Sequence, residues 1–157
     1  MAASAYQTLN FHFKVQFSFD MSGTSVDIHF QSVTGMDSTM ETEPLKEGGE
    51  NLFTHVLPLR RKFGPLVLKR GLLMPGDSAL TDQFKAVFQN DTFTPFALVT
   101  IHLLDENHQS MVHWQVDNVW PLSWKIGELN AMEGAVLIET MELNYNHLVY
   151  TKLTQNT

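Results

Sequence analysis

The chain has 157 residues, a mass of 17.9 kDa, no cysteine and a formal net charge of −7. That length suits one domain with its own core, and the missing cysteine excludes a disulfide framework, a thiolate zinc site and a cysteine nucleophile. An excess of 17 acidic over 10 basic residues argues against nonspecific nucleic-acid binding.

The first ten residues carry neither the basic nor the apolar segment of a secretory signal, and no apolar run is long enough to cross a bilayer as a helix. From Phe11 to Phe19 apolar residues alternate strictly with His12, Lys14, Gln16 and Ser18, which predicts a half-buried antiparallel strand. A turn-rich stretch over 20–25 leads to a second alternating run at Val26, Ile28 and Phe30, so the pair reads as a hairpin. Gly35 marks a bend or a bulge. Residues 36–43 read as a polar extended strand, and 44–50, with Pro44, Gly48 and Gly49, as a loop. Leu52 to Leu57 is expected as a short strand stopped by Pro58, and Leu66 to Arg70 as another ending at Gly71.

One helix is expected. Asp77 or Ser78 caps it, Leu80, Phe84, Val87 and Phe88 form its apolar stripe, and 91–95 stops it. Strands then resume at 99–103 and 112–116 around a turn at 105–108. Pro121 makes 119–124 an edge, a bulge or a connection. The last long strand is expected over 135–143. Seven to nine short strands around one helix, without repeats or linkers, indicate a mainly β sandwich or barrel, a single domain over 1–157 with its core at about 11–147 and flexible termini.

The chemistry-bearing residues do not assemble into a motif. His102, His108 and His113 lie close in sequence but lack the spacing of a zinc site. Glu139 and Glu142, an odd number apart on one strand, point to opposite faces. No nucleophile elbow and no phosphate-binding loop is present. No catalytic, cofactor-binding or metal-binding residue is assigned, and the chain is not expected to be an enzyme. Trp114, Trp120 and Trp124 read as packing residues, with a carbohydrate platform as the competing reading.

Charge is distributed unevenly. Residues 41–50 hold Glu41, Glu43, Glu47 and Glu50 against Lys46, whereas 60–70 hold Arg60, Arg61, Lys62, Lys69 and Arg70 with no acid. These segments read either as two solvated loops or as complementary contacts between copies of the chain, which would fix register more than add affinity.

Across most of the chain the residues resemble the inner-tube proteins of contractile phage tails and contractile injection systems. The resemblance is carried by Phe11-His-Phe-Lys-Val-Gln-Phe17, Phe30-Gln-Ser-Val-Thr-Gly-Met36, Glu47-Gly-Gly-Glu-Asn51 with Leu57-Pro58, Leu66-Val-Leu-Lys-Arg-Gly-Leu72, Trp120-Pro121 and Ile138-Glu-Thr-Met-Glu-Leu143. It implies two packed antiparallel sheets with one flanking helix, and six-membered rings that stack into a tube inside a sheath, one sheet lining the lumen. The 47–58 and 66–72 pieces look more like the tube-initiating ring at the baseplate than the main stacked tube protein. The implied partners are copies of the chain, other tube rings, sheath and spike or baseplate proteins, and cargo in the lumen, with no sequence-specific nucleic acid and no membrane insertion. Assembly in the bacterial cytoplasm and later use in a tail or released particle would follow, and the lack of cysteine fits a reducing compartment. On this reading the two charged segments, Glu41 to Glu50 and Arg60 to Arg70, meet between subunits, and the polar strand face of His12, Lys14, Gln16 and Ser18 faces the lumen.

Overall fold

The computed structural model describes residues 12–19, 25–46, 48–49, 52–74 and 76–152. Ten strands and one helix follow in the order β1 (Phe13–Ser18), β2 (Ser25–Ile28), β3 (Ser32–Thr34), β4 (Ser38–Leu45), β5 (His55–Phe63), β6 (Leu66–Gly71), α1 (Ala79–Asn90), β7 (Phe96–Leu104), β8 (Ser110–Ile126), β9 (Ile138–Asn144) and β10 (His147–Lys152). All pairings are antiparallel.

Eight strands form one continuous sheet, in the order β2-β1-β7-β8-β9-β6-β3, with β10 also on β8. It works as two packed layers because β8 belongs to both. The first part of β8 pairs with β7 and β10, and its last part pairs with β9. Between them Asn118 takes a left-handed conformation (φ 51°) and a bulge falls between Pro121 and Ser123. Such a break bends a strand and sharpens its twist. Pro121 is tolerated because β7 pairing has already ended at Val119, leaving that side of β8 with no partner strand among the described residues. The edge strands β2 and β3 are separated by only three residues, 29–31, so the sheet must curl until its two edges approach.

The core lies between the layers. Val15 and Phe17 of β1, Leu66 and Leu68 of β6, Val99 and Ile101 of β7, Val116 and Val119 of β8, and Met141 and Leu143 of β9 are buried together. Helix α1 adds Leu80 and Phe84, with Phe84 near Phe96 and Trp124. Ser78 caps the helix by accepting from the Thr81 N–H, and Asp91, left-handed at φ 52°, ends it.

The strands at 13–18 and 25–28, their hairpin, the helix and its cap follow the sequence expectations. Four points differ. First, β4 runs through Pro44 to Leu45, and β5 starts at His55 and continues through Pro58 to Phe63, because a two-stranded ribbon leaves one side of each strand free for a residue with no N–H. Second, β8 is a single strand of 17 residues. Third, β9 starts at Ile138 and 127–137 is loop, with Val136 exposed. Fourth, residues 147–152, expected beyond the core, form β10 on β8. The remaining terminal residues lie outside the described residues.

Candidate functional site

The β4–β5 ribbon departs from the sheet at Gly35. Gly35 has φ 89°, and a side chain there would collide with the Pro65 carbonyl oxygen, 1.9 Å from an ideal Cβ position. Only glycine fits so close a backbone crossing. The Tyr145 hydroxyl donates to the Gly35 carbonyl at 2.8 Å, and the Tyr145 and Phe63 rings pack together. Burial and the nearby Asp37 carboxylate raise the Tyr145 pKa, so this hydroxyl stays a donor.

Beyond that anchor the ribbon is an arm. Met40, Leu45, Val56, Leu57 and Leu59 are all exposed, so the subunit does not cover it. A second apolar surface lies at the other end of the molecule. It comprises Leu72, Leu73 and Met74 after β6, and Leu129 (82% exposed), Met132 (92%) and Val136 in the loop before β9. The Leu72 N–H donates to the Leu137 carbonyl at 2.8 Å, which joins these two segments. The β6–β9 register separates this surface from the arm. Leu66, facing Leu143, lies at the arm end, and Gly71, facing Ile138, lies at the loop end, about 17 Å further on. Large exposed apolar patches on a soluble subunit mark contact sites.

The residues expected to meet between subunits divide among several places. Glu41 and Arg60 pair within one arm, Nε to Oε2 3.3 Å, and Glu43, Arg61 and Lys62 stand on the same ribbon. The acidic and basic segments are therefore neighbours in one chain as well as candidates for contact between chains. Lys69 stands on β6, away from the arm. Glu47 and Glu50 lie outside the described residues.

Arg70 must be removed from the contact set. It is 4% exposed, and its guanidinium donates to Glu139, which is fully buried, and to the Ser78 and Thr81 hydroxyls. The second Glu139 oxygen accepts from Trp124 Nε1 at 3.1 Å. Alternation hides this residue, because Arg70 shares its strand face with Leu66 and Leu68. Glu142, on the opposite face, accepts from Lys125 at 2.7 Å, which holds its carboxyl below the usual range.

The polar face of β1 carries Lys14, Gln16 and Ser18, opposite the buried Val15 and Phe17, with His12 just before the strand. Gln16 donates to Asp27 Oδ1 at 2.6 Å, and Lys14 pairs with Asp27 Oδ2 at 3.4 Å. These partners lower the Asp27 pKa, the Gln16 bond being the larger cause. Since Gln16 gives its amide hydrogen to Asp27, its oxygen accepts from His102 Nε2 at 2.8 Å, and His102 Nδ1 shares a hydrogen bond with the Ser110 hydroxyl at 2.8 Å. Burial first and Lys14 next lower the His102 pKa, which favours the neutral ring. Among the described residues no group of three His, Cys, Asp or Glu is placed to hold a metal ion. Trp114 packs with Tyr150, and Trp124 is used by Glu139 and Phe84.

A chain of the anti-feeding prophage baseplate, a 6-fold symmetrised cryo-EM structure, is 32% identical, with a TM-score of 0.87 over 94% of this chain and 97% of that one. A chain of an extracellular contractile injection system, in its extended sheath–tube complex, is 20% identical with a TM-score of 0.78 over 96% and 95%. Hcp1 from Flavobacterium johnsoniae shares the fold more distantly, at 12% identity and a TM-score of 0.57 over 90% and 96%. Comparison with curated protein sequences gives no match. The family model for the T4-like virus tail tube protein gp19 matches residues 9–149, nearly the whole chain. The chain belongs to that tail tube family, whose members are structural tube proteins.

Proposed function

We propose that the chain forms a six-membered ring that starts the inner tube at the baseplate of a contractile particle. The observation that carries this reading is the pair of apolar surfaces at opposite ends of the subunit. A contact made from two different surfaces of one molecule is head-to-tail, and such contacts propagate into rings or stacks. Over 38–63 the arm carries four cations, Lys46, Arg60, Arg61 and Lys62, against four acids, Glu41, Glu43, Glu47 and Glu50, with three of the cations gathered at 60–62. The opposite loop holds Glu128 and Glu133 and no cation over 127–137. The exposed apolar arm of one copy therefore seats against the exposed apolar loop end of another, with the basic 60–62 cluster complementary to Glu128 and Glu133. Among the described residues the outer edges of β2, β3 and β10 remain for pairing between neighbours, which would close the ring and remove exposed strand edges.

The initiating role is supported by the higher identity to the baseplate chain than to the sheath–tube chain. The polar face of β1 is assigned to the lumen, and sheath, spike and baseplate proteins are the remaining partners. Assembly would take place in the bacterial cytoplasm, before the particle acts outside it.

Negative-stain microscopy of the purified chain, alone and with its baseplate neighbours, tests the role. Rings that stop short of long tubes without a partner support an initiator. Long tubes from the chain alone would instead assign it as the main tube protein. For the lumen, Gln16→Cys in an assembled tube should resist a bulky thiol reagent applied from outside, and rapid labelling would overturn the assignment.

A further inference from the structure

The face that bears Lys14 extends over five strands. The register places Asp27 of β2, Thr100 and His102 of β7, His113, Gln115 and Asp117 of β8, and His147, Val149 and Thr151 of β10 on it. His102 and His113 are directly paired, with ring centroids 5.8 Å apart, and His147 faces Asp117 at 3.3 Å. Three imidazoles therefore stand on three adjacent strands of one polar wall.

Near neutrality the permanent charges of this wall are one cation, Lys14, and two carboxylates, Asp27 and Asp117, and Lys14 is paired with Asp27. Imidazoles gain charge just below neutral pH. Protonation of His102, His113 and His147 would give four cations against two carboxylates, so the sign of the wall reverses. The remaining titratable groups nearby are His29 following β2, His12 before β1, and Asp105, Glu106 and His108 in the turn between β7 and β8, where His12 and His108 stack. That turn contributes two acids to its two imidazoles, so the reversal belongs to the strands. The wall offers no Phe, Tyr or Trp on which bases could stack, and only one permanent cation, a poor match for single-stranded nucleic acid.

Resting on the lumen assignment for its place in the tube, we propose that this wall is a proton-gated binding surface for acidic polypeptides. It lets an acidic passenger move freely near neutrality and holds it in acid, through imidazolium–carboxylate bonds of the charge-assisted kind. Burial and Lys14 delay the charge on His102 to more acid pH.

The test uses the full-length protein and a fluorescein-labelled oligoglutamate, by anisotropy at about pH 7.5 and about pH 5.5. Binding should tighten at least about tenfold in acid. His102→Gln with His113→Gln and His147→Gln should abolish the tightening, whereas His55→Gln, on the arm, should preserve it. His113→Lys with His147→Lys should bind at both pH values, which guards against a triple variant that fails to fold. Equal binding at the two pH values, tightening that survives the triple variant, or an oligothymidylate bound as tightly as the peptide would each overturn the proposal. The thiol-labelling result at Gln16→Cys is independent: labelling from outside would remove the lumen assignment and leave the binding result intact.

Discussion

Arg60 and Arg70 belong to the same basic segment, yet they do opposite things. Arg60 is on the arm, 85% exposed, and pairs with Glu41 across the ribbon. Arg70 is in the core, where it links β6, β9 and the first turn of α1 through Glu139, Ser78 and Thr81. One ion pair is solvated and weakly held; the other is desolvated and satisfied on all sides. The difference shows how a subunit of this kind divides its side chains. The body closes on itself, and the arm leaves both apolar and charged groups exposed.

Breaking the inner pair should have the largest effect. Arg70→Ala leaves Glu139 as an uncompensated buried charge, which costs about 3–5 kcal/mol. Urea unfolding measures it, and a loss below about 1 kcal/mol would mean that the pair is not desolvated in solution. Gly35→Ala comes next. The left-handed backbone alone costs about 1–3 kcal/mol, and the clash with Pro65 adds to it. Proteolysis should then cut at the base of the arm before the body unfolds.

Ser78→Ala removes both the helix cap and one partner of Arg70, at about 1–2 kcal/mol. A variant as stable as the parent in thermal denaturation would contradict the capping role. Arg60→Ala should change subunit stability by less than about 1 kcal/mol while weakening assembly. If it destabilised the isolated subunit as much as Arg70→Ala does, the contrast between arm and body would fail.

The smallest effect is the pH dependence of the isolated subunit. The fold lowers the His102 pKa, so the unfolded chain takes up its proton first as pH falls. Stability is therefore full above the ordinary imidazole range and declines as pH drops through it toward the lower folded value. His102→Gln should flatten that part of the stability–pH curve. The lowered Asp27 acts in the same direction at more acid pH, weakly because that carboxylate is mostly solvated.

Much of the body is legible from sequence. Strict alternation over Phe13–Ser18 and the spacing of Leu80, Phe84 and Val87 determine which faces go inward. Arg70 is hidden because charge counting ignores strand parity: alternation with Leu66 and Leu68 puts it inside, and its partner Glu139 lies 69 residues away. The arm is obscured by Pro58, which ends a central strand but not a free ribbon. Its role depends on copies of the chain that a single sequence does not display. The imidazole wall is invisible for a related reason, since His102, His113 and His147 meet only through the β7–β8–β10 register.

The central claim is that the arm of one copy seats on the loop end of another. The chain has no cysteine, so two introduced thiols report on that contact alone. Leu57→Cys on the arm and Met132→Cys on the loop should form disulfide-linked oligomers on mild oxidation of the assembled protein, and each single variant should not form the mixed link. Ring or tube assembly without cross-linking of the pair would contradict the account.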